Sequence, residues 1–332
     1  MKKRMQFVLL GFALFLLALF LFLFVGTPPR AASIAWGVNF SQKHAINLGL
    51  DWKETYLALL DDLQAKHLKI AVHWDYIEGG RTGLFFDDVD WQVQEAKKRN
   101  VKILFAIGMK TPRWPECHIP QWAKDLGKKD QENAVLAMLE GIVLRYKDSE
   151  AVWGWQVENE PFFPFGECSL TDRGFLKKEV DLVRLLDPSH PVVVSESGEG
   201  SFWTGAASYG DVVGITLYQK AWVGQLGISV DYPLPPVFYW RKAQIISALF
   251  QKNVIGVELQ AEPWGPSLLY DLPVEEQEKT MNPALFREDI EFAKQTGLDT
   301  FYLWGGEWWF WLKQKHNDPT MWNEARNLFS EQ

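Results

Sequence analysis

Only two cysteines, Cys117 and Cys168, occur in 332 residues, and no CxxC pair or Cys/His cluster has metal-ligand spacing. The six histidines, at 44, 67, 73, 118, 190 and 316, are dispersed along the chain, so no metal site and no cofactor is expected. Positive charge is also scarce. Lys plus Arg is 34 against Asp plus Glu 42, and Lys2, Lys3, Arg4 and Arg30 fall in the first 33 residues, which hold no acid. The remaining 299 residues thus carry 30 bases against 42 acids, a net −12. So acidic a domain is a poor partner for nucleic acid or an anionic lipid surface. A Gly-rich phosphate turn is missing after the first apolar run, where Phe40-Ser41-Gln42-Lys43-His44 stands in place of GxGxxG, which argues against a dinucleotide-binding open sheet.

What is present is an ordinary globular balance, 47% apolar and 23% charged, with an excess of tryptophan, 17 in all. Residues 7–25 form 19 consecutive positions without a charge or strongly polar group, directly after Lys2, Lys3 and Arg4. That length crosses a bilayer core and exceeds the apolar region of an ordinary signal peptide, which favours an uncleaved anchor. Ala31-Ala32-Ser33 also fits a small-residue cleavage site, so a removed signal stays open. The positive-inside rule places the basic tip in the cytoplasm and the rest outside. Two units are expected: 1–33, a tip, membrane segment and linker, and 34–332, a single domain outside the cytoplasm. Export brings oxidising conditions, so Cys117 and Cys168 are read as a disulfide if the fold joins their loops; two free thiols are the alternative.

Beyond residue 33 one pattern recurs: a short run rich in Val, Ile, Phe or Trp, a loop, then a segment of helical period. Strands are expected at 34–40, 67–74, 101–108, 151–157, 191–195, 211–217, 253–259 and 299–304. Helices are expected at 52–66, 91–100, 131–146, 171–186, 238–252, 284–296 and 320–329, with Thr171 and Asp172 as capping residues. The crossover between Ser195 and Asp211 is short and its helix weakly signalled. Eight such units in about 299 residues suit an α/β fold of the (β/α)8 TIM-barrel type preceded by a single N-terminal transmembrane anchor.

In a barrel the chemistry sits on loops at the C-terminal strand ends. The fourth strand runs into Glu158-Asn159-Glu160-Pro161, and the seventh into Glu258-Leu259-Gln260-Ala261-Glu262-Pro263-Trp264. Acids that follow apolar strands are buried at the rim, where an ionised carboxylate is costly without a partner or a role. His73 and Trp74 end the second strand as candidate substrate contacts, and Trp114, Trp203, Trp222, Trp264, Trp308 and Trp309 fall in loops where sugar faces would stack on them. Loop three, 110–116, and loop five, 195–199, add polar groups.

Asn159-Glu160-Pro161 after strand four, a Glu ending strand seven and the aromatic eighth strand Tyr302-Leu303-Trp304 resemble the clan A glycoside hydrolases, (β/α)8 retaining β-glycosidases that include cellulase-like and mannanase-like enzymes. The resemblance runs from about residue 34 to the end. It implies Glu160 as acid/base, Glu258 as nucleophile, Asn159 bonded to the sugar 2-hydroxyl, Tyr218 holding the nucleophile and Trp304 as the sugar platform. Lys69 stands near a position where the family commonly has Arg. Retention needs the two carboxyls roughly 5 to 5.5 Å apart. Glu158 competes with Glu160, although strand alternation turns it the other way, and Glu262 competes with Glu258 or contacts substrate. The expected partner is a β-linked poly- or oligosaccharide, with the membrane met through residues 7–25. A membrane-anchored carbohydrate-binding barrel without turnover is the rival reading.

Overall fold

The computed structural model describes residues 2–168, 172–223 and 227–331. Eight parallel strands close into a barrel: β1 Ala35–Phe40, β2 His67–Ala71, β3 Lys102–Ile107, β4 Val152–Val157, β5 Val192–Ser197, β6 Val212–Leu217, β7 Asn253–Gln260 and β8 Thr300–Trp304. Neighbours in the barrel are neighbours in sequence, and β8 pairs with β1 to complete the ring. Seven of the expected strands differ from these by no more than two residues at either end. The second is shorter than expected, because His73 leaves the sheet as the residue before a one-turn helix, Trp74–Ile77.

The barrel bore is filled by Leu104, Val193, Ile255, Val257 and Tyr302, while a larger apolar layer lies between strands and outer helices. Local chemistry sets the helix starts and stops. Asp51 caps Trp52–Asp61 by accepting from the amides of Lys53 and Glu54. Asp172 does the same for Arg173–Leu186; Thr171, expected to share that cap, lies outside the described residues. After Asp87–Lys98, Asn100 turns the chain at φ 56°, a left-handed conformation that asparagine tolerates. The weakly signalled crossover holds a six-residue helix, Thr204–Tyr209. An insertion after β6 forms an antiparallel hairpin, Lys220–Val223 with Ile228–Asp231, and Gln260 at the end of β7 pins it: its Oε1 accepts from the amides of Gln219 and Lys220.

The apolar segment is one helix, Lys2–Phe24, of which Arg4–Phe24 is long and apolar enough to cross a membrane. Its last turn touches the barrel where Phe24 meets Phe238 at 5.4 Å. Residues 25–34 connect it to β1 without regular structure, mostly exposed, with Arg30 paired to Glu291 on the surface. On the opposite count of loops, Cys117 and Cys168 form a disulfide, Cα atoms 4.9 Å apart, that ties the loop after β3 to the loop after β4.

Candidate active site

The C-terminal ends of β4, β6 and β7 surround a narrow cavity of about 50 Å³ lined by Glu116, Glu160, Glu199, Glu258, Ser197 and Thr216, with Phe163, Phe165, Tyr218, Tyr232 and Trp264 as aromatic walls and Ala221 from the hairpin. Both glutamates singled out in the sequence therefore reach one space.

Glu258 is 2% exposed and fully partnered. Lys69 Nζ, from inside β2, donates to its Oε1 at 3.0 Å and to the Val257 carbonyl at 3.2 Å, while Tyr218 Oη donates to its Oε2 at 2.9 Å. Burial lowers the Lys69 pKa, and the neighbouring Glu258 charge works against that. Burial and the same carboxylate push the Tyr218 hydroxyl well up, so it stays a donor.

Glu160 has a sparser setting. Its Oε1 accepts from Thr216 Oγ1 at 3.0 Å, and its amide donates to Ser195 Oγ at 3.0 Å. Burial, then the charge of Glu258, raises its pKa to about 8. The backbone turns sharply here: Glu158 has φ 59° and Glu160 φ 43°, left-handed values that cost energy for a residue with a side chain and that recur at functional sites. Glu158 faces away from the cavity and anchors loop three, its carboxylate accepting from the amides of Met109 at 3.0 Å and Lys110 at 2.7 Å. Gly108, at φ 133°, has to be glycine, since a Cβ there would lie 2.5 Å from the Glu158 carboxylate.

Loop three, expected to add polar groups, supplies a buried acid and a buried arginine. Glu116, 5% exposed, accepts from Asn159 Nδ2 at 3.2 Å through Oε1, and its Oε2 has no hydrogen-bond partner. Gln156 Nε2 holds the Asn159 Oδ1 at 3.0 Å, which aims the Asn159 amide nitrogen at Glu116. Arg113 pairs with Glu262 and, at 2.8 Å, with Glu307. Its guanidinium lies over the Trp304 ring, 3.9 Å from the centroid.

Several residues expected to contact substrate have other partners in this structure. Trp304 is 8% exposed with Arg113 over its ring, so in this conformation it offers no free platform. Glu262 is buried in its ion pair with Arg113 and does not line the cavity; burial raises its pKa to about 7 against the Arg113 charge. Asn159 gives one of its two amide hydrogens to Glu116 and keeps the other for a ligand. Trp74 is fully buried, edge-on to Trp122 at 5.7 Å, with its indole nitrogen donating to Glu78, because the helix that follows β2 folds it inward. His73 has both ring nitrogens engaged, by Ser41 Oγ and Thr111 Oγ1 at 3.0 Å each, and is buried behind the rim. Trp203, Trp308 and Trp309 are core residues with their indole nitrogens bonded to Ser197 O, Gln277 and Ala261 O. Trp222 sits half-buried on the hairpin. Trp114 is 49% exposed beside Phe165, and Trp264 stands 5.0 Å from Tyr218 on the cavity wall. Phe163, Phe165 and Tyr232 were missed; the dense Phe162-Phe163-Pro164-Phe165 run after Glu160 was the available signal for the first two.

No group of His, Cys, Asp and Glu among the described residues has the arrangement of a metal site. Neither a family model nor a curated protein matches the chain. Solved structures do. A variant of GH5_18 from Bifidobacterium longum subsp. longum, in complex with Manb1-4GlcNAc, shares 14% identity over 90% of this chain and 78% of its own, TM-score 0.62. Xylanase 10B from Thermotoga petrophila, in complex with xylobiose, shares 14% over 82% of each, TM-score 0.53. A β-galactosidase from Rahnella sp. R3 shares 12%, TM-score 0.60, with 92% of this chain covering 57% of that one; the chain spans a little over half the length of the β-galactosidases it matches. At the level of fold, the resemblance to clan A glycoside hydrolases holds.

Proposed function

We propose that this protein is a retaining β-glycoside hydrolase of poly- or oligosaccharides, with Glu160 as acid/base and Glu258 as nucleophile, held outside the cytoplasm by its N-terminal helix. The observation that carries this reading is the unequal treatment of two glutamates in one cavity: Lys69 and Tyr218 donate to Glu258, while burial beside Glu258 raises the Glu160 pKa to about 8. An acid of that pKa is protonated at neutral pH and gives its proton to the departing glycosidic oxygen as the Glu258 carboxylate attacks the anomeric carbon. The C–O bond to the leaving group breaks, and a glycosyl ester on Glu258 forms. Water then attacks that ester, passing one proton back to Glu160 and releasing Glu258. Activity accordingly falls as pH rises through about 8, where Glu160 loses its proton. The sugars bound by the structural neighbours, Manb1-4GlcNAc and xylobiose, are β-linked or xylose-based ligands that support an oligosaccharide substrate.

The test is trapping with a 2-fluoro glycoside carrying a good leaving group, followed by peptide mapping. A label on Glu258 is the expected result; a label on Glu262, or a first product of inverted configuration, overturns the assignment. Glu160→Ala should still form the ester from activated substrates and regain turnover with azide as a β-glycosyl azide, whereas Glu258→Ala should give no ester. Sugar binding without turnover draws its support from Arg113 over Trp304 and from the narrow cavity; ligand binding with no product from any β-linked substrate would select it.

A further inference from the structure

The cavity wall carries four carboxyls, Glu116, Glu160, Glu199 and Glu258, and no lysine or arginine among its lining residues. The cations nearby lie behind that wall and are spoken for. Lys69 serves Glu258 and the Val257 carbonyl; Lys110 Nζ donates to the carbonyls of Glu160 at 2.9 Å and Phe163 at 3.0 Å. Lys242 donates to the carbonyls of Gly198 and Ser201, both at 2.7 Å.

Two of the four acids have work in the proposed chemistry. Glu199 is structural, accepting from the Tyr218 amide and from Tyr239 Oη, both at 3.0 Å. Glu116 is left over. It belongs to a loop fixed by the neighbouring Cys117–Cys168 disulfide, one of its oxygens is satisfied by Asn159, and the other is buried without a hydrogen-bond partner, 3.9 Å from Lys110 Nζ. Once ionised, that carboxylate carries acceptors only, and in a space already rich in acids its charge is better met by a cationic donor than by a neutral hydroxyl. The aromatic walls, Phe165, Tyr218, Tyr232 and Trp264, suit the same ligand, since ring faces attract cations and stack on sugar C–H faces.

Resting on the glycosidase reading above, we infer that the sugar unit cleaved in this cavity is a β-linked amino sugar with a free amine, a 2-amino-2-deoxyhexose, whose ammonium is met by Glu116. The chemistry of the step gives the third carboxylate a purpose. A protonated amine next to the anomeric carbon opposes the positive charge that develops there in the transition state. A carboxylate facing the ammonium offsets that penalty where a neutral sugar would need none. The site is prepared for this exchange: Glu160, Glu258, Lys110, Lys69 and Asn159 are the charged and polar groups facing Glu116, and burial together with the charges of Glu160 and Glu258 holds its pKa well above the usual carboxylate range. An arriving ammonium therefore ionises Glu116, and one proton leaves for the solvent.

The experiment compares full-length protein on three aryl β-glycosides that differ at one position, bearing a free 2-amine, a 2-acetamide or a 2-hydroxyl, with wild type and Glu116→Gln. Wild type is expected to favour the free amine at least tenfold in kcat/KM, and Glu116→Gln to lower the amine-to-hydroxyl ratio at least tenfold. Calorimetry of a glucosamine oligomer binding to wild type, in two buffers of different ionisation enthalpy, is expected to show proton release; this reading does not depend on the variant folding. Preference for the hydroxyl or acetamide substrate, or binding without proton release, overturns the amine assignment while turnover itself keeps the glycosidase reading intact. Failure to turn over any of the three, with no trapped ester, overturns both.

Discussion

The two walls of the cavity place the same side chain in opposite circumstances. On the β7 wall Glu258 meets an ammonium and a phenol at 3.0 and 2.9 Å. On the wall formed by loops three and four, Glu160 has one hydroxyl and Glu116 one amide, and both carry raised pKa values. Burial is nearly equal on the two sides, so depth does not distinguish them. Supply of donors does. Lys69 within β2 and Tyr218 directly after β6 both serve Glu258, whereas Glu160 and Glu116 each receive a single neutral donor, which favours their protonated forms.

The largest effect should come from stripping the well-supplied wall. Lys69→Met is expected to lower kcat/KM on an activated aryl glycoside by about 10²–10³-fold, the scale of losing one preorganised electrostatic partner, with partial recovery in Lys69→Arg. Thr216→Ala, which removes the one side-chain donor to Glu160, should cost about tenfold or less. Equal losses would erase the distinction between the walls.

A smaller effect, on stability, comes from the cross-link that holds the poorly supplied wall in place. Cys117 and Cys168 are 51 residues apart in sequence, and closing such a loop contributes roughly 4 kcal/mol in the chain-entropy model. Cys168→Ser should lower the thermal midpoint measurably in a melt without reductant. The midpoint of the wild type should fall to meet it when reductant is added.

The last effect is a pH dependence of stability. Glu160 has a folded pKa of about 8, above its value of about 4.3 in the unfolded chain. The folded state thus holds a proton that the unfolded state releases, and the contribution, full below about pH 4, is lost as pH rises toward 8. Glu160→Gln removes this drain. Its melting temperature should exceed that of the wild type by an increment that grows from pH 5 to pH 8, and a constant increment would mean that the folded pKa is unshifted.

How much of this was legible beforehand follows from which forces set each part. The strands read clearly because runs such as Val152-Trp153-Gly154-Trp155-Gln156-Val157 and Val192-Val193-Val194 combine β-propensity with punctuation, and strand order then carried Glu160 and Glu258 to one rim. The loops did not read clearly. Nothing in the composition shows that Arg113 at φ 85° and Glu116 at φ 53° turn loop three back over the mouth, because that path depends on a disulfide and on ion pairs to Glu262 and Glu307 that lie 149 and 194 residues away. The tryptophans misled for a related reason: Trp308 and Trp309 belong to a helix, Gly306–Lys315, that follows β8 directly and turns them into the core. The loop expected to carry Trp308 and Trp309 is a helix.

Residues 25–34 carry a consequence of a different kind. They contribute no strand to the barrel, which begins at Ala35, and apart from Pro28 they are exposed or half-buried, with the surface pair Arg30–Glu291 as their ionic tie. Exposed segments without regular structure are where proteases cut, and a cut here would leave β1, the ring of strands and the disulfide untouched. Under the proposed function, a helix seated in a bilayer would confine the barrel to a surface, and one hydrolysed peptide bond between Val25 and Ile34 would free the same barrel to diffuse through the surrounding volume, so a single cut would exchange a local catalyst for a shared one.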